Sequence, residues 1–346
     1  MQNSRATKLV SNITLALAGA SFSFGSAMAQ EKITLKVADW TSVTHTTQIE
    51  GIKAMMAKAT ELSKGRLQFQ LYPSEQLGKA KDMQMLAQSG VADIVNIAPA
   101  YITEKFPLSS VVELPSIYEG ACLSSYAMGR MLKPGAVLHE QEFKPNGLRA
   151  LVVATLGAYR LMTANKKINK LSDYSGLKLR TAGGPMDQAA AALGAVSIRM
   201  PGPDVLPSLS RGTLDGLFWP LQSVKLWSLT NNLKYWTPNI GVGSFTMIYA
   251  ISDKSWEKIP PDLQKVLVEA GEFATKNHCE FTDNAEGKTI EELKAAGVTP
   301  VPVADADVKA MEQKFRAIYT DWAQSLDKRN RPGTKILETL QAELKK

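Results

Sequence analysis

One stretch constrains the fold more than any other. From Pro261 to Ala296 the pattern is helical with few breaks. Leu263, Val266, Leu267, Ala270, Phe273 and Ala274 recur on one face, the spacing of an amphipathic helix with one buried stripe. At 1.5 Å per residue such a helix is roughly 50 Å long. That exceeds the width of one small lobe, so the pattern predicts a helix running along two. A chain of 346 residues is long enough for two lobes with separate cores.

The rest of the chain agrees. Ile33–Ala38 reads as a strand. Thr47–Lys64 then carries apolar residues at Ile49, Ile52, Met56, Ala59 and Leu62, a helical face. Leu67, Phe69 and Leu71 alternate as a half-buried strand does, Lys79–Ser89 is a second helix and Asp93–Ala98 a third strand. A second series starts near Leu148, with strands at 148–154, 159–163, 177–180, 196–200 and 214–219 and a short Ala-rich helix at 186–193. Alternation of this kind predicts helices on the faces of α/β sheets, in two similar lobes. Two further helices, Asp307–Leu326 and Thr334–Lys345, close the chain.

The first 29 residues lie outside this pattern. Arg5 and Lys8 precede an apolar stretch that ends at Ala27-Met28-Ala29, the layout of a secretory signal peptide cleaved after Ala29. The stretch is too short and interrupted for a membrane span, and no later segment is apolar enough, so the mature chain is expected not to insert. Without Arg5 and Lys8 the formal charge falls from +7 to +5. That mild excess is spread along the chain, not clustered as in nucleic-acid binders, and it suits a small anionic ligand. In an oxidising compartment Cys122 and Cys279 could form a disulfide or stay as buried thiols.

Catalytic signatures are missing: there is no HExxH, GxSxG or GxxxxGK[ST] motif. His45, His139 and His278 lack metal-ligand spacing, so no metal or cofactor is expected. A binding site is the better expectation. Arg180 ends a predicted strand, and in open α/β sheets that edge borders the ligand crevice. A guanidinium there can grip a carboxylate with two parallel hydrogen bonds; the other reading is a structural arginine.

Several segments together resemble the periplasmic binding component of TRAP transporters, of the DctP type. They are Gln76-Leu77-Gly78, Gly90-Val91-Ala92-Asp93, Phe106-Pro107-Leu108, Leu114-Pro115, Tyr159-Arg160, Gly176-Leu177-Lys178-Leu179-Arg180 and Gly212-Thr213-Leu214-Asp215-Gly216. The resemblance implies the two-lobe periplasmic binding protein fold, with hinge strands and one long shared helix. It places lobe 1 at 30–156 and about 246–285, and lobe 2 at 157–245 and about 286–346. It implies that Arg180 holds the ligand carboxylate and Arg160 assists. It also puts Cys122 and Cys279 in one lobe, which favours the disulfide.

One departure shapes the expected ligand. Many relatives have Asn where Trp219 stands, and that Asn contacts the carboxylate. An indole removes an amide and adds apolar surface. Trp40, Tyr101 and Tyr159 are candidates for further aromatic lining. The expectation is a periplasmic, non-enzymatic protein that captures an organic acid with an apolar or aromatic body and delivers it to TRAP membrane subunits. The alternatives are a binding protein for another transporter or a sensor, an enzyme on the same scaffold, or a structural secreted protein.

Overall fold

The computed structural model describes residues 32–346; the leader assigned to 1–29 lies outside them. Eleven strands form two sheets among the described residues. They are β1 (Ile33–Ala38), β2 (Leu67–Tyr72), β3 (Ile94–Ile97), β4 (Leu148–Thr155), β5 (Tyr159–Thr163), β6 (Lys178–Thr181), β7 (Val196–Arg199), β8 (Gly216–Pro220), β9 (Tyr235–Trp236), β10 (Thr246–Ser252) and β11 (Thr299–Pro300). The first sheet has the order β2-β1-β3-β10-β4 and the second β11-β9-β5-β8-β6-β7. The sheets share a plan. Three neighbouring parallel strands meet one antiparallel strand, β10 against β3 in the first and β5 against β8 in the second. The two sheets are the expected two α/β lobes.

The strand β10 is absent from the sequence-based expectation, and it shows how the lobes are joined. The chain leaves the first sheet after β4 and returns to it as β10, paired with β4. The two crossings lie side by side. Leu156 N donates to Phe245 O at 2.9 Å, Tyr159 N to Gly243 O at 2.9 Å and Thr237 N to Leu161 O at 3.0 Å. These bonds make a two-stranded ribbon between the sheets, a hinge of few residues. Each strand of the ribbon satisfies the other's backbone groups, so the crossing can be short.

The long helix runs from Pro261 to Ala295. Its first half packs Leu263, Leu267, Ala270 and Ala274 into a core with Leu35, Val37, Ile94 and Val152 of the first sheet. Its far end places Leu293 with Leu217 and Trp236 of the second. One helix therefore serves both lobes. It lies so close to β4 that a Cβ on Gly271 would collide with the Leu151 carbonyl oxygen, so glycine is needed there. Thr275 Oγ1 accepts from Val153 N at 3.0 Å at the same contact.

Two expected core residues are on the surface. Phe273 is exposed, with Lys58 Nζ 5.7 Å from its ring centroid. Ile49 is also exposed, and Met55 is fully buried instead. For Ile49 the cause is local winding: Thr47–Lys53 is a π-helix and only Ala54–Leu62 is α-helical. A wider turn rotates the apolar stripe away from the 3.6-residue prediction. The C-terminal helices Asp305–Asp327 and Gly333–Glu343 tie back onto the first lobe's segments. Trp322 Nε1 donates to Ser110 Oγ at 3.0 Å, and Arg130 Nη2 donates to Glu343 O at 2.7 Å.

Candidate functional site

Arg180 is the third residue of β6, an inner strand between β8 and β7. It is the largest fully buried side chain among the described residues. Nε donates to Met200 O at 3.0 Å, Nη1 to Phe218 O at 3.5 Å and Nη2 to Tyr101 Oη at 3.4 Å. Its guanidinium carbon lies 4.7 Å from the Trp219 ring centroid, a cation–π distance. Every protein partner is a neutral oxygen or a ring. Among the described residues no carboxylate forms an ion pair with Arg180. A buried guanidinium without a counter-charge is costly, which sets this site apart from the rest of the fold.

The four predicted aromatic residues converge on it from both lobes. Trp40 follows β1 and Tyr101 ends a short 3₁₀ turn after β3; Tyr159 opens β5 and Trp219 lies in β8. Trp40 and Tyr101 meet edge-to-face at 5.4 Å, and Tyr159 and Trp219 lie 6.4 Å apart. All four are at most 5 % exposed. Gly202 N donates to Tyr101 Oη at 2.8 Å, so a second-lobe amide and Arg180 share one first-lobe hydroxyl. Burial pushes the pKa of both tyrosines up, while the charge of Arg180 pulls them back; both hydroxyls remain neutral donors. The indole nitrogen of Trp219 is buried without a hydrogen-bond partner among the described residues.

Two residues that sequence reasoning missed complete the aromatic cluster. Trp227 stacks on Trp40 at 6.4 Å and meets Trp219 edge-on at 6.1 Å. Phe245 lies 5.0 Å from Tyr101 and 6.3 Å, stacked, from Tyr159. Phe245 belongs to the hinge ribbon, and Trp227 follows a single turn of helix, Ser223–Leu226. Neither stands at the end of a strand legible from sequence; the one available signal is an aromatic beside a crossing between lobes.

Arg160 sits elsewhere on the same sheet. It pairs in register with Trp219, yet its Nη2 faces Glu286 of the long helix at 4.0 Å. Its Nε is buried without a partner among the described residues. Cys122 and Cys279 form a disulfide joining the helix Ala121–Leu132 to the long helix. Asp283 caps the same helix start, accepting from Cys122 N at 3.0 Å. Among the described residues, no group of three or more His, Cys, Asp and Glu could hold a metal, and no helix is long and apolar enough to cross a membrane.

The sequence model of the DctP family, described as bacterial extracellular solute-binding protein, family 7, matches residues 40–325. The chain belongs to this family of TRAP-type solute-binding proteins. The DctP-family chain is similar to the sialic acid-binding periplasmic protein SiaP of Vibrio cholerae, with 23% identity over 92% of this chain and 96% of that protein. Its fold matches a TRAP solute-binding protein from Rhodoferax ferrireducens T118 in complex with copurified benzoate, with TM-score 0.83, 23% identity and coverage of 90% and 98%. It also matches one from Bordetella bronchiseptica with bound (R)- and (S)-mandelate, with TM-score 0.82, 22% identity and coverage of 90% and 99%.

Proposed function

We propose that this DctP-family protein, after cleavage of its leader in the periplasm, captures a small monocarboxylate with an apolar or aromatic body. It holds the carboxylate on Arg180 and passes the ligand to TRAP membrane subunits without chemical change. The observation that carries this reading is the buried Arg180 guanidinium, which lacks a protein counter-ion and lies in a cage of aromatic rings. A ligand carboxylate would neutralise it where water is excluded and the attraction is strongest. The Tyr101 and Tyr159 hydroxyls can donate to the same anion. Trp40, Trp219, Trp227 and Phe245 offer faces to an apolar body and little to a polyhydroxylated one. The benzoate and mandelate carried by two similar folds agree with this ligand class.

Binding follows closure about the ribbon of residues 156–159 and 243–245. We assign lobe 1 to 30–156 and about 246–285, and lobe 2 to 157–245 and from about 286 onward. The last helix is fastened to lobe 1 through Arg130 and Glu343. Ligand stabilises the closed form by its better affinity for it.

Calorimetry with benzoate, mandelate, a branched aliphatic acid, succinate and galacturonate tests the reading. The aromatic monocarboxylates bind tightest, and Arg180→Ala weakens them by about 30-fold to several thousand-fold, about 2–5 kcal/mol, while circular dichroism stays native. Tight galacturonate or succinate binding, with no response to aromatic or branched acids, would refute it. So would unchanged affinity in folded Arg180→Ala.

A further inference from the structure

A second buried ionisable group borders the same space, and the fold does not use it. Glu113 is 1 % exposed, and neither of its carboxyl oxygens has a hydrogen-bond partner among the described residues. Glu142 is equally buried and shows the usual solution. It accepts from Leu108 N, from Ser109 N at 2.8 Å and from Ser109 Oγ at 2.6 Å, and so ties down a loop. Leaving a buried carboxyl unpaired is costly. The local structure gains nothing from Glu113 that would offset this cost.

Its position supplies the reason. Glu113 ends the first-lobe turn Ser109–Glu113. Its main-chain oxygen lies 3.2 Å from where a Cβ on hinge residue Gly243 would stand. Its Oε2 lies 4.0 Å from the corresponding point on Gly184, three residues beyond the strand that carries Arg180. Glu113 also acts electrostatically on Tyr101 and Tyr159, the two tyrosines that feel the charge of Arg180. The aromatic cluster between the lobes therefore has a guanidinium in it and, beside the hinge, a buried carboxyl without a hydrogen-bond partner among the described residues. Burial pushes that carboxyl up to about 8, against the weaker pull of the Thr246 amide, which approaches it without reaching hydrogen-bond geometry, and of the Arg199 charge. At neutral pH it carries a proton, and can donate one hydrogen bond and accept another.

We propose that Glu113 is a specificity residue of this cleft that hydrogen-bonds a hydroxyl on the ligand body while Arg180 holds the carboxylate. This deepens the carboxylate reading above and rests on it. A hydroxyl is the smallest group that accepts from a carboxylic acid and donates back to it. A ligand without one leaves Glu113 unpaired. A ligand with a second carboxylate buries another anion beside an acid, where among the described residues no cation forms an ion pair with Glu113 and Arg199 is engaged with Ala100 O. The favoured ligand class is thus an aromatic or apolar monocarboxylate bearing one hydroxyl.

The test is calorimetry with benzoate, 3-hydroxybenzoate, 4-hydroxybenzoate and terephthalate on the wild-type protein, Glu113→Leu, Glu113→Gln and Arg180→Ala. The wild type should bind one hydroxybenzoate isomer about 10-fold or more tighter than benzoate, because a site built around a hydroxyl rejects the analogue lacking it. Terephthalate should bind weakest. Glu113→Leu should reverse the order, tightening benzoate several-fold and weakening the hydroxybenzoate. Glu113→Gln, similar in size and still able to hydrogen-bond, should keep the order and controls for folding. An unchanged hydroxyl preference in Glu113→Leu overturns the proposal, as does an equal loss of all four acids in that variant with a native melting curve. In both cases the Arg180 reading stands if Arg180→Ala abolishes binding of the benzoates. Wild-type protein that binds none of the four overturns both readings.

Discussion

At the scale of single residues, the molecule is organised around charges left without protein partners. Some cations nearer the surface find carboxylates, as Arg149 finds Asp253 at 2.7 Å. Arg180, fully buried, finds carbonyls, a tyrosine and an indole face. Trp219 decides how apolar the surroundings of that charge are. Trp219→Asn restores an amide beside the guanidinium and opens the aromatic cage. Its expected effect is a loss of about 10-fold or more in aromatic-acid affinity with a gain for hydroxylated sugar acids, read by calorimetry on both ligand types. Arg180 is legible in the sequence as the end of a predicted strand, and Trp219 through the resemblance that sets it where relatives carry Asn. Glu113 also leaves a trace there, a lone acid between Val112 and Leu114. Its function is not legible, because the groups near it come from Gly184, Arg199 and Gly243, far away in the chain.

At the scale of elements, the closure proposed above would depend on how tightly loops of one lobe meet strands of the other. Arg199 of β7 donates to the first-lobe Ala100 O at 2.8 Å. Gly183 lies under this contact with φ +119°, and a Cβ there would sit 2.5 Å from that same carbonyl oxygen. Gly183→Ala should therefore hinder closure without harming either sheet. The expected outcome is at least 10-fold weaker ligand binding and a larger radius of gyration with ligand by small-angle scattering, with a modest fall in melting temperature without ligand from the strain of alanine at this φ. The disulfide acts on a different property. Cys122 and Cys279 are 157 residues apart, so the bond restricts a long loop in the unfolded chain, worth about 2–5 kcal/mol. Both ends pack with the first lobe through the long helix. Reduction should lower the melting temperature by several degrees and leave ligand affinity within about two-fold, as calorimetry of the reduced protein will show.

At the scale of the whole molecule, buried titratable groups set how stability varies with pH. Burial pushes the imidazole of His45 down to about 3, helped by His278, and that of His278 down to about 4. Both stay neutral when folded, but take protons below about 6.5 when unfolded. Their contribution therefore falls as pH drops from 6.5 toward 4. Glu113 and Glu142 work in reverse: raised to about 8 and about 7 by burial, they keep protons when folded and release them on unfolding. Their contribution falls as pH rises from about 4.5 through 7 and 8. Each group changes stability by at most about 1.4 kcal/mol per pH unit within its window. Between pH 4.5 and 6.5 the two pairs oppose each other, so stability should be flat there and lower on either side. Melting curves from pH 4 to 8 test the signs: Glu113→Gln should gain more at pH 8 than at pH 5.5, and His278→Leu more at pH 4 than at pH 6.5.

The sequence by itself determined the elements and their class. Periodicity placed β1 to β8 and the long helix to within a few residues, because side-chain burial on one face is a local pattern repeated many times. The length of the helix already required two lobes. Tertiary structure alone decided the course of the ribbon that joins them, the π-helical turns that expose Ile49, and the assembly of the cage. Trp227 and Phe245 join Trp40, Tyr101, Tyr159 and Trp219 only when the chain has crossed between the sheets and closed. Contacts between residues far apart in the chain carry no periodic signal, and a candidate site between two lobes consists largely of such contacts.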